Sequence, residues 1–221
     1  MTMLHPLGPH NRVRFTNVEP DTDVQPNAID LRIDKVFVPQ QGVFILSEEK
    51  KVHRGSRELL PKRFQDEDGW WGLMPGFYEI VFKNEIKLPK GEAGFVIPRS
   101  TLVRNGVYLS TGLYDSGYEG MMVSGLHVTT GVFYVKKGTR IAQFLLFEAE
   151  TLRKYDGAYG SRKQHDNEKY EILKKEGWVD GRTKTKINNE EDEENTDDVQ
   201  VETLNKALTI EDELKDIKNV L

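Results

Sequence analysis

Between Ala28 and Phe147 the chain is a series of short apolar segments cut apart by turn-forming residues, and that rhythm admits few folds. Residues 28–33, 35–38, 42–46, 76–82, 85–88, 93–97, 107–109, 121–128, 131–135 and 140–147 each suit a strand. Pro39, Pro75, Pro89, Gly91, Gly120 and Gly138 fall between them. Short strands at that spacing imply an all-β sandwich or barrel. Leu102-Val103-Arg104 lacks strand alternation and reads as a short helical turn, and no internal repeat is evident.

At 221 residues there is room for one hydrophobic core plus an extension. Charge locates the extension. Residues 190–221 hold twelve acids against three lysines, −9, so a formal total of −5 leaves about +4 on residues 1–189. A mildly basic body suits an anionic ligand, although so small an excess does not indicate nucleic acid as a partner. Residues 190–200 are acidic and nearly free of apolar side chains, a composition expected to stay disordered. Leu204, Leu208, Leu214, Ile217 and Leu221 then space out an amphipathic helix that either docks on a partner or stays solvated. The expected organisation is an arm (1–23), a β domain (24–165), an extension (166–189) and an acidic tail (190–221).

The chain has no cysteine, which excludes disulfides, thiolate zinc sites and a cysteine nucleophile. Zinc deaminases of the cytidine type are excluded with them. No apolar run approaches the ~20 residues of a membrane helix, and residues 1–14 lack the apolar stretch of a signal peptide. A cytoplasmic protein with no membrane partner is the expectation. Residues 47–71 form a polar, basic insertion ending in Trp70-Trp71, read as a solvated loop whose tryptophans pack on the barrel or a neighbouring subunit, or as a contact for a partner or nucleic acid. His127 falls on an expected strand and reads as structural.

Chemistry concentrates in three places. Asp115 lies in the Gly-rich hairpin Ser110-Thr111-Gly112-Leu113-Tyr114-Asp115-Ser116-Gly117-Tyr118-Glu119-Gly120. Sixteen residues before it stand Arg99, Ser100 and Thr101, where a guanidinium fork, hydroxyls and amides at the start of a turn suit phosphate. Twenty-eight residues after it stands Gln143. Splitting a nucleoside triphosphate needs an oriented water, a base and cationic charge, and Asp115 is the candidate base. Its alternative role is to cap the hairpin, and that of Tyr118 is ordinary strand packing.

With Gln25-Pro26-Asn27-Ala28-Ile29-Asp30-Leu31-Arg32, Ile97-Pro98-Arg99-Ser100-Thr101 and Gly138-Thr139-Arg140-Ile141-Ala142-Gln143, the ordered set resembles the trimeric dUTPase and dCTP deaminase superfamily. The resemblance covers residues 24–165. It implies a distorted, jelly-roll-like β-barrel followed by a mostly non-β extension, and a homotrimer with sites shared between subunits. It also implies Asp115 holding the attacking water, Tyr118 under the deoxyribose, and the backbone of the loop Leu109–Leu113 reading the pyrimidine edge. Arg99, Ser100, Thr101, Arg104 and Gln143 would contact substrate, while Asp30 and Arg32 brace them. A Gly-rich arm, 155–164, would bring Tyr159, Arg162 and Gln164 over a neighbour's site, unless it is only a linker. Mg2+ would arrive on the triphosphate, with no protein cage for it.

The deaminase branch carries a glutamate ten residues after the hairpin aspartate. Gly125 stands there, with no nearby acid in the right strand phase. The expectation is therefore a dUTP diphosphatase releasing dUMP and pyrophosphate. The alternatives are a dCTP deaminase, a diphosphatase of dCTP or modified dUTP, and a regulatory module of the same fold. A viral origin is compatible with so divergent a chain.

Overall fold

Period-two patterning becomes strand almost throughout the computed structural model, which describes residues 2–9, 12–157, 159 and 160. In chain order the elements are β1 (Met3–Leu4), β2 (Arg14–Phe15), α1 (Pro20–Asp23), β3 (Ile29–Pro39), β4 (Ile45–Leu46), β5 (Lys51–Val52), β6 (Ser56–Leu59), β7 (Lys62–Phe64) and β8 (Glu67–Leu73). Then come β9 (Gly76–Lys87), β10 (Glu92–Pro98), α2 (Ser100–Arg104), β11 (Val107–Ser110), β12 (Leu113–Tyr114), β13 (Glu119–Val128), β14 (Phe133–Lys136) and β15 (Arg140–Glu148). Ten strands form one antiparallel sheet whose main path runs β11-β13-β9-β3-β15-β10-β12, curled into a distorted half-barrel.

β3 is the corner. Its first half pairs with β15, with Asp30 opposite Gln143, and its second half pairs with β9, with Val36 opposite Ile80. The register shifts between Ile33 and Lys35, where one strand leaves one half of the sheet for the other. Ile29, Leu31 and Ile33 thereby point into one core with Ile80, Phe82, Met122, Leu126, Phe144 and Leu146, all essentially inaccessible. β13 alternates buried and half-buried side chains along all ten of its residues, as its sequence dictates.

The segments expected at 28–33 and 35–38 are one strand, as are 76–82 and 85–88. The solvated-loop expectation for 47–71 is corrected, since that stretch contributes to β5 through β8. Apolar partners make those strands: Trp71 enters the core and its Nε1 donates to Leu59 O at 2.7 Å, while Phe64 stacks on Tyr134 at 4.0 Å. β8 lies between β7 and β14 in a separate three-stranded sheet. The N-terminal residues are woven in as well, β1 onto β15 and β2 onto β9. Arg162, Gln164, the acidic run and the helix expected at 204–221 lie outside the described residues.

Candidate active site

Asp115 follows β12, which pairs with β10 through Leu113–Phe95 and Tyr114–Gly94. The turn after it closes without its side chain. Tyr118 N donates to Asp115 O at 3.0 Å, Gly117 takes φ +91°, and buried Ser116 donates from Oγ to Glu92 O at 2.8 Å. The Asp115 carboxylate is exposed and has no hydrogen bond or ion pair among the described residues. It lines a cavity of about 870 Å3, with Ala93, Leu113 and Ser116 on one side and the segment 149–157 on the other. That volume suits a nucleotide-sized ligand.

Of the far wall, only residues 155–157 belong to the expected Gly-rich arm, and here they line the cavity of their own chain. Thr151 Oγ1 meets Ser116 Oγ at 2.7 Å and Tyr155 N donates to Ser116 O at 2.8 Å, so residues 149–157 fold back along the hairpin and bring Arg153 and Lys154 to the cavity. No motif marked Arg153 or Lys154. Tyr118 is only 6 % exposed; its ring packs edge-on against Tyr114 and Tyr155, and its hydroxyl donates to Met121 O at 2.5 Å. It lies behind the cavity wall and fixes Tyr155. Tyr159 is partly exposed, its amide donating to Tyr155 Oη at 3.2 Å and Lys51 Nζ lying 5.4 Å from its ring centre.

A second cluster is built around Asp30, which is wholly buried. Gln143 Nε2 donates to its Oδ1 at 3.0 Å; Arg140 Nη1 and Arg99 Nε approach its Oδ2 at 3.4 and 3.6 Å. Three residues apart on a regular strand, Arg140 and Gln143 would point to opposite faces. A register shift between Arg140 and Ala142 prevents this, because Arg140 faces Arg32 and Ala142 faces Leu31, leaving Ile141 over. The bulge turns both polar side chains to the Asp30 face. Ser100 and Thr101 sit exposed at the start of α2, beside Arg99; Arg104, at its end, is exposed with no partner among the described residues.

Arg32 braces this cluster with all three of its guanidinium nitrogens. Nε and Nη2 bond Asp23 at 3.2 and 2.7 Å, Nη1 bonds Gly138 O at 2.9 Å, and Nη2 also reaches Glu19 and Thr22. Burial pushes the Asp23 carboxyl up, but hydrogen bonds from Arg32 and the Glu19 amide outweigh it, and its pKa falls below the usual 3.8. The same hydrogen bond, against burial, raises the pKa of Arg32.

The two clusters stand at opposite ends of β10. Tyr114 faces Gly94 and Ala142 faces Pro98, and the roughly six residues from the Asp115 level to Arg99 span about 20 Å at ~3.3 Å per residue. One chain does not bring its own arginine cluster to its own aspartate.

On β13, Gly125 lies between Ser110 of β11 and Glu79 of β9. The expectation that no acid shares its phase is thereby corrected: strand register, invisible in the sequence, puts Glu79 beside it. The ring of Phe77 fills the intervening space, since a Cβ on Gly125 would lie 2.6 Å from Phe77 Cε2 and 3.5 Å from Ser110 Cβ. His127, opposite Phe77, shares a hydrogen bond with Ser110 Oγ at 2.6 Å.

A sequence model of the dCTP deaminase-like family matches residues 7–149. The chain belongs to this family. Curated relatives include a probable deoxyuridine 5'-triphosphate nucleotidohydrolase of Halobacterium salinarum, 33% identical over 65% of this chain and 87% of its own length. The deoxyuridine 5'-triphosphate nucleotidohydrolase of Methanocaldococcus jannaschii is 33% identical over 67% of this chain and 93% of its own. Among solved structures, the 2'-deoxycytidine 5'-triphosphate deaminase of Agrobacterium tumefaciens is similar over 62% of this chain and 43% of that one, at 17% identity and a TM-score of 0.48.

Proposed function

We propose that the protein hydrolyses dUTP to dUMP and pyrophosphate, with Asp115 orienting and deprotonating the water that attacks the α-phosphate. The observation that carries this is the free Asp115 carboxylate, exposed in a nucleotide-sized cavity while backbone and Ser116 close its turn. An aspartate acting only as a cap would be spent on the hairpin. The curated relatives named for dUTP hydrolysis supply the substrate.

Charge on the transferring phosphates needs cations that Asp115's own neighbourhood only partly offers. The Asp30 cluster holds them, about 20 Å along β10, and a neighbouring copy is proposed to supply it. This favours a homotrimer whose sites combine Asp115 of one chain with Arg99, Ser100, Thr101 and Gln143 of another. Leu113, which lines the cavity and is 61 % exposed, and Arg104, Tyr159, Arg162 and Gln164 remain substrate contacts of this proposal. Tyr118 acts here by holding the Asp115 turn against Tyr155. No group of three or more potential acid or histidine ligands occurs among the described residues. Mg2+ is proposed to arrive on the triphosphate, where it would neutralise phosphate charge. No helix among the described residues is long and apolar enough to cross a membrane, and a cytoplasmic setting is proposed with the activity, because its substrate is an intracellular nucleotide.

Deamination of dCTP is the competing reading, and Glu79 is the acid it would need. The Phe77 ring between Glu79 and Ser110 argues against it. Incubating the protein with each dNTP and resolving monophosphate, pyrophosphate and ammonia tests the proposal. Pyrophosphate from dUTP without ammonia from dCTP is expected. Ammonia from dCTP, lost in Glu79→Gln, would transfer the case to deamination. Mixed assemblies of Asp115→Asn and Arg99→Gln chains should recover activity that neither has alone.

A further inference from the structure

Arg32 and Arg140 face each other across β3 and β15, yet their donors are spent differently. All of the nitrogens of Arg32 are engaged, by Asp23, Glu19, Thr22 and Gly138. Arg140 is held by Nη1 alone, which donates to Asp30 Oδ2 and to the carbonyl of Thr22. Its Nε and Nη2 make no hydrogen bond or ion pair among the described residues, and the side chain is 31 % exposed. Those two nitrogens form the side-on edge of the guanidinium, the edge that grips two oxygens of one phosphate. Three arginines and three acids balance the group as a whole, but unevenly: Arg32 has Asp23 and Glu19, whereas Arg99 and Arg140 share Asp30. One guanidinium charge is left over beside Gln143.

We propose that Arg140 is a phosphate-binding residue of the substrate site, aimed by a strap formed by residues 19–24, with Asp23 as the positioning residue of that strap. The inference rests on the nucleotide-hydrolase reading and adds to it a ligand and the device that orients it. The mechanism is mechanical. Asp23, wholly buried, grips Arg32 with both oxygens and caps the Glu19 amide at 3.0 Å, which fixes the short helix α1. The Thr22 carbonyl is thereby held over β15, where it takes one Nη1 hydrogen of Arg140 while Asp30 takes the other. Two anchors on Nη1 restrain the guanidinium plane and leave its Nε–Nη2 edge without a hydrogen bond among the described residues, on a side chain that is 31 % exposed. Arg99 joins the same platform by donating from Nη1 to the Arg140 carbonyl at 3.1 Å.

Calorimetric titration with inorganic pyrophosphate, and with a non-hydrolysable imido analogue of dUTP, tests the proposal in the full-length protein. Arg140→Lys keeps a cation for Asp30 but has no two-nitrogen edge. It should weaken both ligands about tenfold or more, as loss of a charge-assisted hydrogen bond does, while its melting temperature stays near wild type. Asp23→Asn should weaken them about threefold to fivefold, the loss of part of such a bond, and raise KM more than it lowers kcat. In the Arg140→Lys background, Asp23→Asn should have no further effect, because the strap then has nothing to aim. Pyrophosphate binding within twofold of wild type in a folded Arg140→Lys protein would overturn the assignment. Equal Asp23→Asn effects in both backgrounds would overturn the strap. If wild type hydrolyses dUTP and Arg140→Lys binds pyrophosphate normally, this inference fails alone. If dUTP is not turned over yet Arg140→Lys loses pyrophosphate, the hydrolase reading fails and the anion site stands.

Discussion

The two ends of β10 handle carboxylates in opposite ways. At one end Asp115 is exposed in a cavity and unpaired among the described residues; at the other Asp30 is wholly buried and shared among Arg99, Arg140 and Gln143. A group that must accept a proton keeps its lone pairs free, whereas a group that must hold cations in place gives every lone pair away. Burial alone would have nominated Asp30 as the functional acid. Its partners suit Asp30 to positioning, and the proposed chemistry falls to Asp115, which has no partner among the described residues.

Removing the free carboxylate should produce the largest effect. Asp115→Asn is expected to lower kcat by about 10²–10⁴-fold, the range of a lost general base, while calorimetry finds the imido analogue bound as in wild type. Near-normal turnover in that variant would erase the contrast between the two ends. Asp30→Asn should do the reverse, because an amide cannot satisfy two guanidiniums. A stability loss of about 2–3 kcal/mol, read by chemical denaturation, should accompany a rise in KM that exceeds the fall in kcat. A selective kcat defect would make Asp30 the chemical acid.

The strand joining the two ends supplies a third test. A Cβ on Gly94 would lie 2.4 Å from both Leu145 O and Phe144 Cζ, so Gly94→Ala should cost about 1–3 kcal/mol by overpacking and disturb both clusters together. The smallest effect belongs to acid pH. Because the folded pKa of Asp23 is lowered, its contribution is present above its unfolded value near 4 and is lost as pH falls through the folded value. Asp23→Asn should therefore flatten the acid limb of a stability-versus-pH curve below about pH 4 and leave its slope at neutral pH unchanged.

Alternation made β13 and most of β15 legible, since each buries one face over nine or ten residues. It failed for β5, β6 and β7, which are two to four residues long and too short to show a period against their many charges. Asp115, Arg99 and Gln143 were recognisable by spacing; their assortment into two clusters was not. The pairing of Arg140 with Gln143 depends on one bulged residue, Ile141, and the nearness of Glu79 to Gly125 depends on register. Neither leaves a mark in a linear pattern, because both are decided by a strand far away in the chain. Tyr118 shows the converse, a motif residue whose ring the fold spends on packing.

The corner strand β3 also has a consequence for how the molecule comes into being. Its second half can pair with β9 once residue 87 exists, but Asp30 must wait for Gln143, 113 positions later. Closing so long a loop is slow, and a strand edge left unpaired meanwhile is open to wrong partners. On a ribosome the Asp30 face would be the last to assemble, with Ile29 and Leu31 bare until β15 emerges. Nascent chains stopped before residue 140 should therefore recruit chaperones, and those extended past Glu148 should release them.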